Sequence, residues 1–284
     1  MSVPRSNSCV MTVCLAGAVL GGCATTATWQ ETQAPIEKPV KLLAVQLPMT
    51  VDPGRLQKIF APDIKQNLSV SDEPVAQGVD HAQRFTSETM TLALEKLRDL
   101  IIATPPGSEQ RVIDEMRDHA LEETLSQNTA DDIRKMTGAD VLLEYQITDY
   151  GLTPQAWRTG YITFEVATTL TLAAVIAYAG STVAKAAAGT YLVQEGVEET
   201  AEGYAGFRAL DVTCRPVRIE AVLVSLNPVE TLWSTSSTGL SDVKLSRLTR
   251  KVGPGELNDQ LNQATENAVK DIVADFANSL DGVK

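Results

Sequence analysis

Between Gly160 and Phe207 the chain departs from the pattern on either side of it. The stretch reads GYITFEVATTLTLAAVIAYAG, then STVAKAAAG, then TYLVQEGVEETAEGYAGF. By length Ile162–Ala179 could cross a bilayer, for which ~20 mainly apolar residues suffice. A single crossing, however, would put two halves of the chain on opposite sides and separate Val141–Tyr150 from the strands that follow. Two crossings would require Tyr191–Phe207 to span, and its four glutamates forbid that. Glu165 and the threonines 163, 168, 169 and 171 also weigh against a span. The expectation is a helical hairpin over 160–207, packed on itself, on a sister subunit or into the inner face of an outer membrane. A true transmembrane helix is the alternative. Its apolar residues Ile162, Phe164, Leu170, Leu172, Val175, Ile176, Tyr204 and Phe207 are the candidate partner or membrane surface.

The second half of that stretch carries Glu195, Glu198, Glu199 and Glu202 on one helical face. Such a face suits either a divalent cation or a basic partner. With no histidine or carbonyl-rich loop beside it, a solvated acidic surface is the simpler reading. Val193, Val197, Thr200, Tyr204 and Phe207 run opposite as a packing seam.

Around the insertion, periodicity predicts an α/β (α+β) domain: a mixed sheet with helices packed on it, in the order β-α-β-α-β-(helical hairpin)-β-β-α. Val40–Leu47 is an apolar run ended by Pro48, the mark of a buried strand. Met49–His81, rich in Pro, Asp, Gly and Ser, reads as a long loop with a helical turn or two. Thr86–Thr89 offers hydroxyl caps for a helix through Leu97. A short strand follows at Leu100–Ala103. A second helix runs from Ser108 through Leu125, breaks near Asn128-Thr129 and restarts over Ala130–Met136. Val141–Tyr150 alternates with strand period, and Gly151–Gly160 reads as a turn region. Pro216–Leu226 and Thr231–Ser237 form a hairpin about Asn227-Pro228. Gly239–Gly255 is a loop with four basic residues, Lys244, Arg247, Arg250 and Lys251. Glu256–Leu280 closes the chain as an amphipathic helix with Leu257, Leu261, Ala264, Ala268, Ile272 and Phe276 on its apolar stripe.

The amino terminus carries an address. Arg5 is the only charged side chain before a short apolar core, Ser8–Leu20, which ends in Leu20-Gly21-Gly22-Cys23. That is a secretory signal and not a membrane helix. Its last four residues resemble the bacterial lipobox, which implies cleavage between Gly22 and Cys23 and acylation of the Cys23 sulfur. An ordinary signal peptide with a chance cysteine is the alternative. Several acyl chains would hold the protein at a bilayer. Ala24, where an aspartate would mark retention, resembles the outer-membrane class, so the expected place is the periplasmic face of the outer membrane. The expected organisation is therefore 1–22 signal, 23–39 flexible tether, 40–159 with 208–284 a split domain, and 160–207 an insertion. Removal of Cys9 and Cys14 with the signal leaves Cys214 as a lone, quiet thiol and no internal disulfide.

Gly138-Ala139-Asp140-Val141-Leu142-Leu143 before a strand, Glu230-Thr231-Leu232-Trp233-Ser234 in a hairpin, and the closing amphipathic helix resemble a group of periplasmic lipoproteins. The group includes the subunit of the curli secretion channel, the outer-membrane activators of peptidoglycan synthases, exopolysaccharide-export lipoproteins and the amino-terminal domain of TolB. The resemblance covers Val40–Tyr150 and Pro216–Leu280. It implies an anticodon-binding-domain-like fold and a non-enzymatic role in envelope assembly or export, often as a ring oligomer. Activation of a cell-wall synthase is the alternative it leaves open. In the curli channel group, membrane-crossing β-hairpins occupy the segments between strands. The Ala-rich, helical character of the insertion here does not support such a pore.

Other functions find little in the residues. A net charge of −12 argues against nucleic acid as a partner. The two histidines, His81 and His119, stand in a loop and a charged helix, and no nucleotide, hydrolase or zinc motif is present. The reading is therefore no enzyme, no cofactor and no metal. The expected partners are a bilayer, through acylated Cys23, and a second copy or another envelope protein.

Overall fold

The computed structural model describes residues 28–29, 39–61, 73–103, 121, 124–155, 157–160 and 206–282. They form an α/β fold around one sheet. Its strands are β1 (Thr28–Trp29), β2 (Val40–Gln46), β3 (Leu100–Ile102), β4 (Val141–Tyr150), β5 (Val217–Leu226) and β6 (Val229–Gly239), in spatial order β1-β6-β5-β4-β2-β3. The helices are α1 (Pro53–Phe60), α2 (Glu73–Leu94), α3 (Gln127–Thr137) and α4 (Pro254–Gly282). β2 runs parallel to β3 and β4, while β4, β5, β6 and β1 are antiparallel in turn, so the sheet is mixed, as its sequence pattern predicts.

The two faces of the sheet bury different layers. Leu42, Leu143, Tyr145, Ile147, Ile219, Leu223 and Trp233 face α2 and α4, where Met90, Leu94, Leu261, Ala268, Ile272 and Phe276 meet them. Trp233 and Phe276 lie 5.6 Å apart with tilted rings, a favoured aromatic geometry. On the other face, Leu43, Val45, Leu47, Leu142 and Leu226 pack against Leu121, Leu125, Ala130 and Ile133. Sandwiched this way, β4 is buried on both sides, and only Thr148 among its ten residues is partly exposed. Its alternation in sequence therefore separates two interiors, not an inside from an outside.

Backbone contact decides one position outright. A side chain at Gly239 would collide with the backbone of Ala264 and Ala268, so β6 and α4 approach as closely as a residue without a Cβ allows. Gly138, at φ 69°, ends α3 in the left-handed conformation and returns its N–H to the Arg134 carbonyl.

Several expectations change. α1 covers Pro53–Phe60 and α2 begins at Glu73, so the segment read as loop between Met49 and His81 carries helix towards both of its ends. The Thr86 and Thr89 hydroxyls do not cap; they donate to the Ala82 and Phe85 carbonyls, each at 2.7 Å, inside the helix. Gly78, inside α2, lies where a larger residue would strike the Phe60 ring. α3 starts at Gln127, without a break at Asn128-Thr129, because Ser126 accepts from the Thr129 N–H at 3.2 Å. The region 157–160 is a helical turn. Within the segment read as a tether, Thr28 and Trp29 pair with Ser234 and Trp233. The helix expected from Ser108 lies largely outside the described residues, and so does the insertion between 161 and 205.

Candidate functional site at the base of the insertion

Tyr150 at the end of β4 and Val217 at the start of β5 are register partners, so the chain leaves for the insertion and returns from it at one point on the sheet. The Gly151 N–H donates to the Pro216 carbonyl at 2.7 Å and closes the gap. Beyond it, two arms face each other: 152–155 with 157–160 outbound and 206–214 returning, the latter helical through 213.

Asp211 joins the arms. Its Oδ1 accepts from both the backbone N–H and the hydroxyl of fully buried Thr153, the hydroxyl at 2.6 Å. Its Oδ2 takes Arg158 Nη2 at 2.6 Å. Arg158 also donates from Nε to the Thr153 carbonyl at 3.2 Å, and its guanidinium stands 5.6 Å from the Phe207 ring centre. Charge-assisted bonds of this kind are short and strong, and a partly desolvated set holds its geometry.

Below this clamp sits a second ion pair. Arg55 on α1 meets Asp149 at 3.0 Å and donates from Nη2 to the Thr153 and Leu152 carbonyls at 2.6 and 3.3 Å. Asp149 also accepts from the Gln155 N–H at 3.2 Å. Burial raises the Asp149 pKa, opposed chiefly by Arg55.

The returning arm is fixed again at its carboxyl end. Arg247, 2% exposed, donates from Nη1 to the Thr213 carbonyl at 2.7 Å and the Asp242 carbonyl at 2.6 Å, and from Nε to Glu256 at 2.9 Å. Gln260 adds bonds to the Val212 and Thr213 carbonyls. A cation and an amide thus satisfy the open carbonyls of a helix end, where the backbone dipole also favours positive charge. Cys214 closes that end; it is buried, and desolvation pushes its thiol pKa up. Arg215 follows at φ 38°, a left-handed backbone where the chain turns into β5.

A separate group lies on the second face of the sheet. A cavity of about 390 Å³ is floored by Arg218, Glu220, Ser234 and Ser236 and walled by Leu121 and Val229. Arg218 already bonds Glu220 at 3.0 Å and Ser236 at 2.8 Å, so the floor is largely self-satisfied. Nearby, Glu144 is 1% exposed between Val45 and Val222, and burial drives its pKa up to about 7. Among the described residues, no cluster of three or more His, Cys, Asp or Glu could hold a metal ion, and no helix is long and apolar enough to cross a membrane.

Of the residues singled out from sequence, Phe207 is described, half-buried under Arg158 with its carbonyl accepting from Thr153 at 3.3 Å. Gly22, Cys23, Ile162, Phe164, Leu170, Leu172, Val175, Ile176, Tyr204 and the four glutamates lie outside the described residues. His81 stands on α2, its Nε2 3.2 Å from Asn262 Oδ1 on α4. Sequence reasoning missed the Asp149, Thr153, Arg158 and Asp211 set. Its only local signal was a crowd of polar residues at both edges of an apolar insertion.

Neither the family models nor the curated proteins give a match to this chain. Among solved structures, a hypothetical protein from Chlamydia trachomatis is 9% identical with a TM-score of 0.41, covering 86% of this chain and 99% of its own. The PelC dodecamer from Paraburkholderia phytofirmans is 8% identical with a TM-score of 0.32, covering 88% and 96%. A Xanthomonas campestris protein of the family model DUF330 is 10% identical with a TM-score of 0.37, covering 90% and 93%. Overlaps this loose decide nothing about the chain.

Proposed function

We propose that this chain is a lipid-anchored envelope protein that acts as a non-enzymatic accessory to assembly or export, works as an oligomer, and uses the 160–207 insertion as its partner surface. Cys23 is the acylated residue in this reading, and the periplasmic face of the outer membrane is its place. The observation that carries it is the clamp: Asp211 binds Thr153 and Arg158 of the opposite arm, so buried polar groups are committed to holding the insertion's base in a fixed position. A rigid stem under an apolar segment is how a scaffold presents a contact surface. The deciding experiment is light scattering of the chain extracted in mild detergent, with and without 161–205. The expected outcome is a multimer that falls to a monomer when the insertion is replaced by a short linker. A monomer in both forms rejects the oligomeric reading. Replacement of Cys23 by serine is expected to abolish acylation and release the domain from the membrane fraction.

A further inference from the structure

The loop after β6 is unusual in what it leaves in solvent. Val243, Leu245 and Leu248 are 65%, 71% and 51% exposed, three of the five exposed large apolar residues in the described chain. They are held out by the loop's own architecture. Arg247, between them, turns inward to Thr213 and Glu256, and Leu245–Leu248 forms a short 3₁₀ turn tied back through the Lys244 N–H to the Thr213 carbonyl at 3.4 Å. A centre bonded inward leaves its flanking apolar side chains no route to collapse.

The charge of the loop opposes that of the whole. The chain carries −12, yet every charged residue from Val243 to Lys251 is basic: Lys244, Arg247, Arg250 and Lys251. Asp242 and Glu256, just outside this stretch, pair with Lys244 at 2.9 Å and Arg250 at 2.6 Å. The Lys244–Asp242 pair is exposed on both partners, and such a pair is weak and exchanges with other anions.

Position supplies the third argument. Val217 pairs with both Tyr150 and Gly239, so the loop springs from the end of the sheet that bears the insertion's stem. β1 runs antiparallel to β6, with Thr28 opposite Ser234, so the chain enters β1 from that same end. Cys23 stands five residues before Thr28. A chain of that length reaches at most about 18 Å.

We infer that the 242–251 loop is a second membrane contact: an apolar wedge with basic flanks that enters the headgroup layer of an anionic phospholipid bilayer and sets the domain's orientation against it. Exposed apolar residues flanked by Lys and Arg have the chemistry of an interfacial anchor. The nearness of a bilayer rests on the acyl anchor proposed above; the chemistry of the loop does not.

The test places an environment-sensitive fluorophore on Leu245→Cys in the full chain and, as a control, on Asn128→Cys, which is exposed near the other end of the sheet. Vesicles of phosphatidylethanolamine with one quarter phosphatidylglycerol are compared with pure phosphatidylcholine, and the unsubstituted chain gives the labelling background. The probe at 245 is expected to brighten severalfold on the anionic vesicles and to be quenched by a lipid-borne nitroxide, with the probe at 128 unchanged. Each of Lys244→Gln and Arg250→Gln is expected to weaken this loop insertion about fivefold. Equal emission from 245 in buffer and on vesicles overturns the inference. So does a shift that needs no vesicles and grows with protein concentration, which would assign the loop to a second copy. Intact mass reports acylation of Cys23 separately. An unacylated chain whose 245 probe still enters anionic vesicles fails the anchor and keeps the loop; an acylated chain whose probe stays in water does the reverse.

Discussion

Arg158 and Asp211 stand 53 residues apart in sequence and 2.6 Å apart in space, with the whole insertion between them. Asp211 also holds Thr153 by two bonds, so its loss takes a charged acceptor from three donors at once. Asp211→Ala is expected to cost about 3 kcal/mol in denaturant unfolding. A double-mutant cycle with Arg158→Met should return a coupling above about 1 kcal/mol. Faster amide exchange confined to 152–160 and 206–214 would locate the effect; additive single mutants would show that the pair is incidental.

Arg247 is a buried cation whose partners come from the stem and from α4. Arg247→Met keeps the packing volume but removes the shortest bond to the Thr213 carbonyl and one of the two cations on Glu256, and we expect a loss of about 3 kcal/mol. Glu256 reports the same network through pH. Arg250 first, then Arg247, hold its pKa down at about 2. A depressed folded-state value gives stability that is present above the ordinary carboxylate range and is lost as pH falls towards 2. Glu256→Gln should flatten acid unfolding in that window, and an unchanged acid profile would contradict the pairing.

Glu144 predicts the opposite slope. Burial lifts its pKa from 4.5 to about 7, so the folded chain keeps a proton that the unfolded chain has released. Stability is full below the unfolded value and declines as pH rises to about 7, by at most about 3 kcal/mol. Glu144→Gln should raise the urea midpoint at about pH 8 and leave it nearly unchanged at about pH 4. The same shift at both values would remove burial of charge as the cause.

At Gly239 the test is steric. Gly239→Ala drives a methyl into the backbone of α4 and should cost about 3 kcal/mol or more, by thermal or denaturant unfolding. Loss below about 0.5 kcal/mol would mean that β6 and α4 can part at little cost.

The sheet and its last helix were legible because their signals are local. Val141–Tyr150, Pro216–Leu226 and the stripe from Leu261 to Phe276 each repeat with the period of their element. The start of α2 was not legible. Thr86 carries the same hydroxyl whether it caps a helix or bonds back to Ala82 within one, and only the packing on α4 decides. Arg247 was read as one of four basic loop residues. Its burial depends on carbonyls at 213 and 242, one of them 34 positions away. Asp211 and Thr153 likewise owe their roles to 58 residues of separation that periodicity cannot bridge.

The register of Tyr150 with Val217 has a last consequence. Where both ends of an inserted segment are fixed side by side, the entropy of closing it grows only logarithmically with its length. The stem is therefore a port: what it carries can be lengthened, shortened or exchanged while the sheet beneath keeps its pairing. A foreign helical hairpin spliced between 160 and 206 should fold on this domain, and evolution has the same freedom to change the chain's partner without redesigning its core.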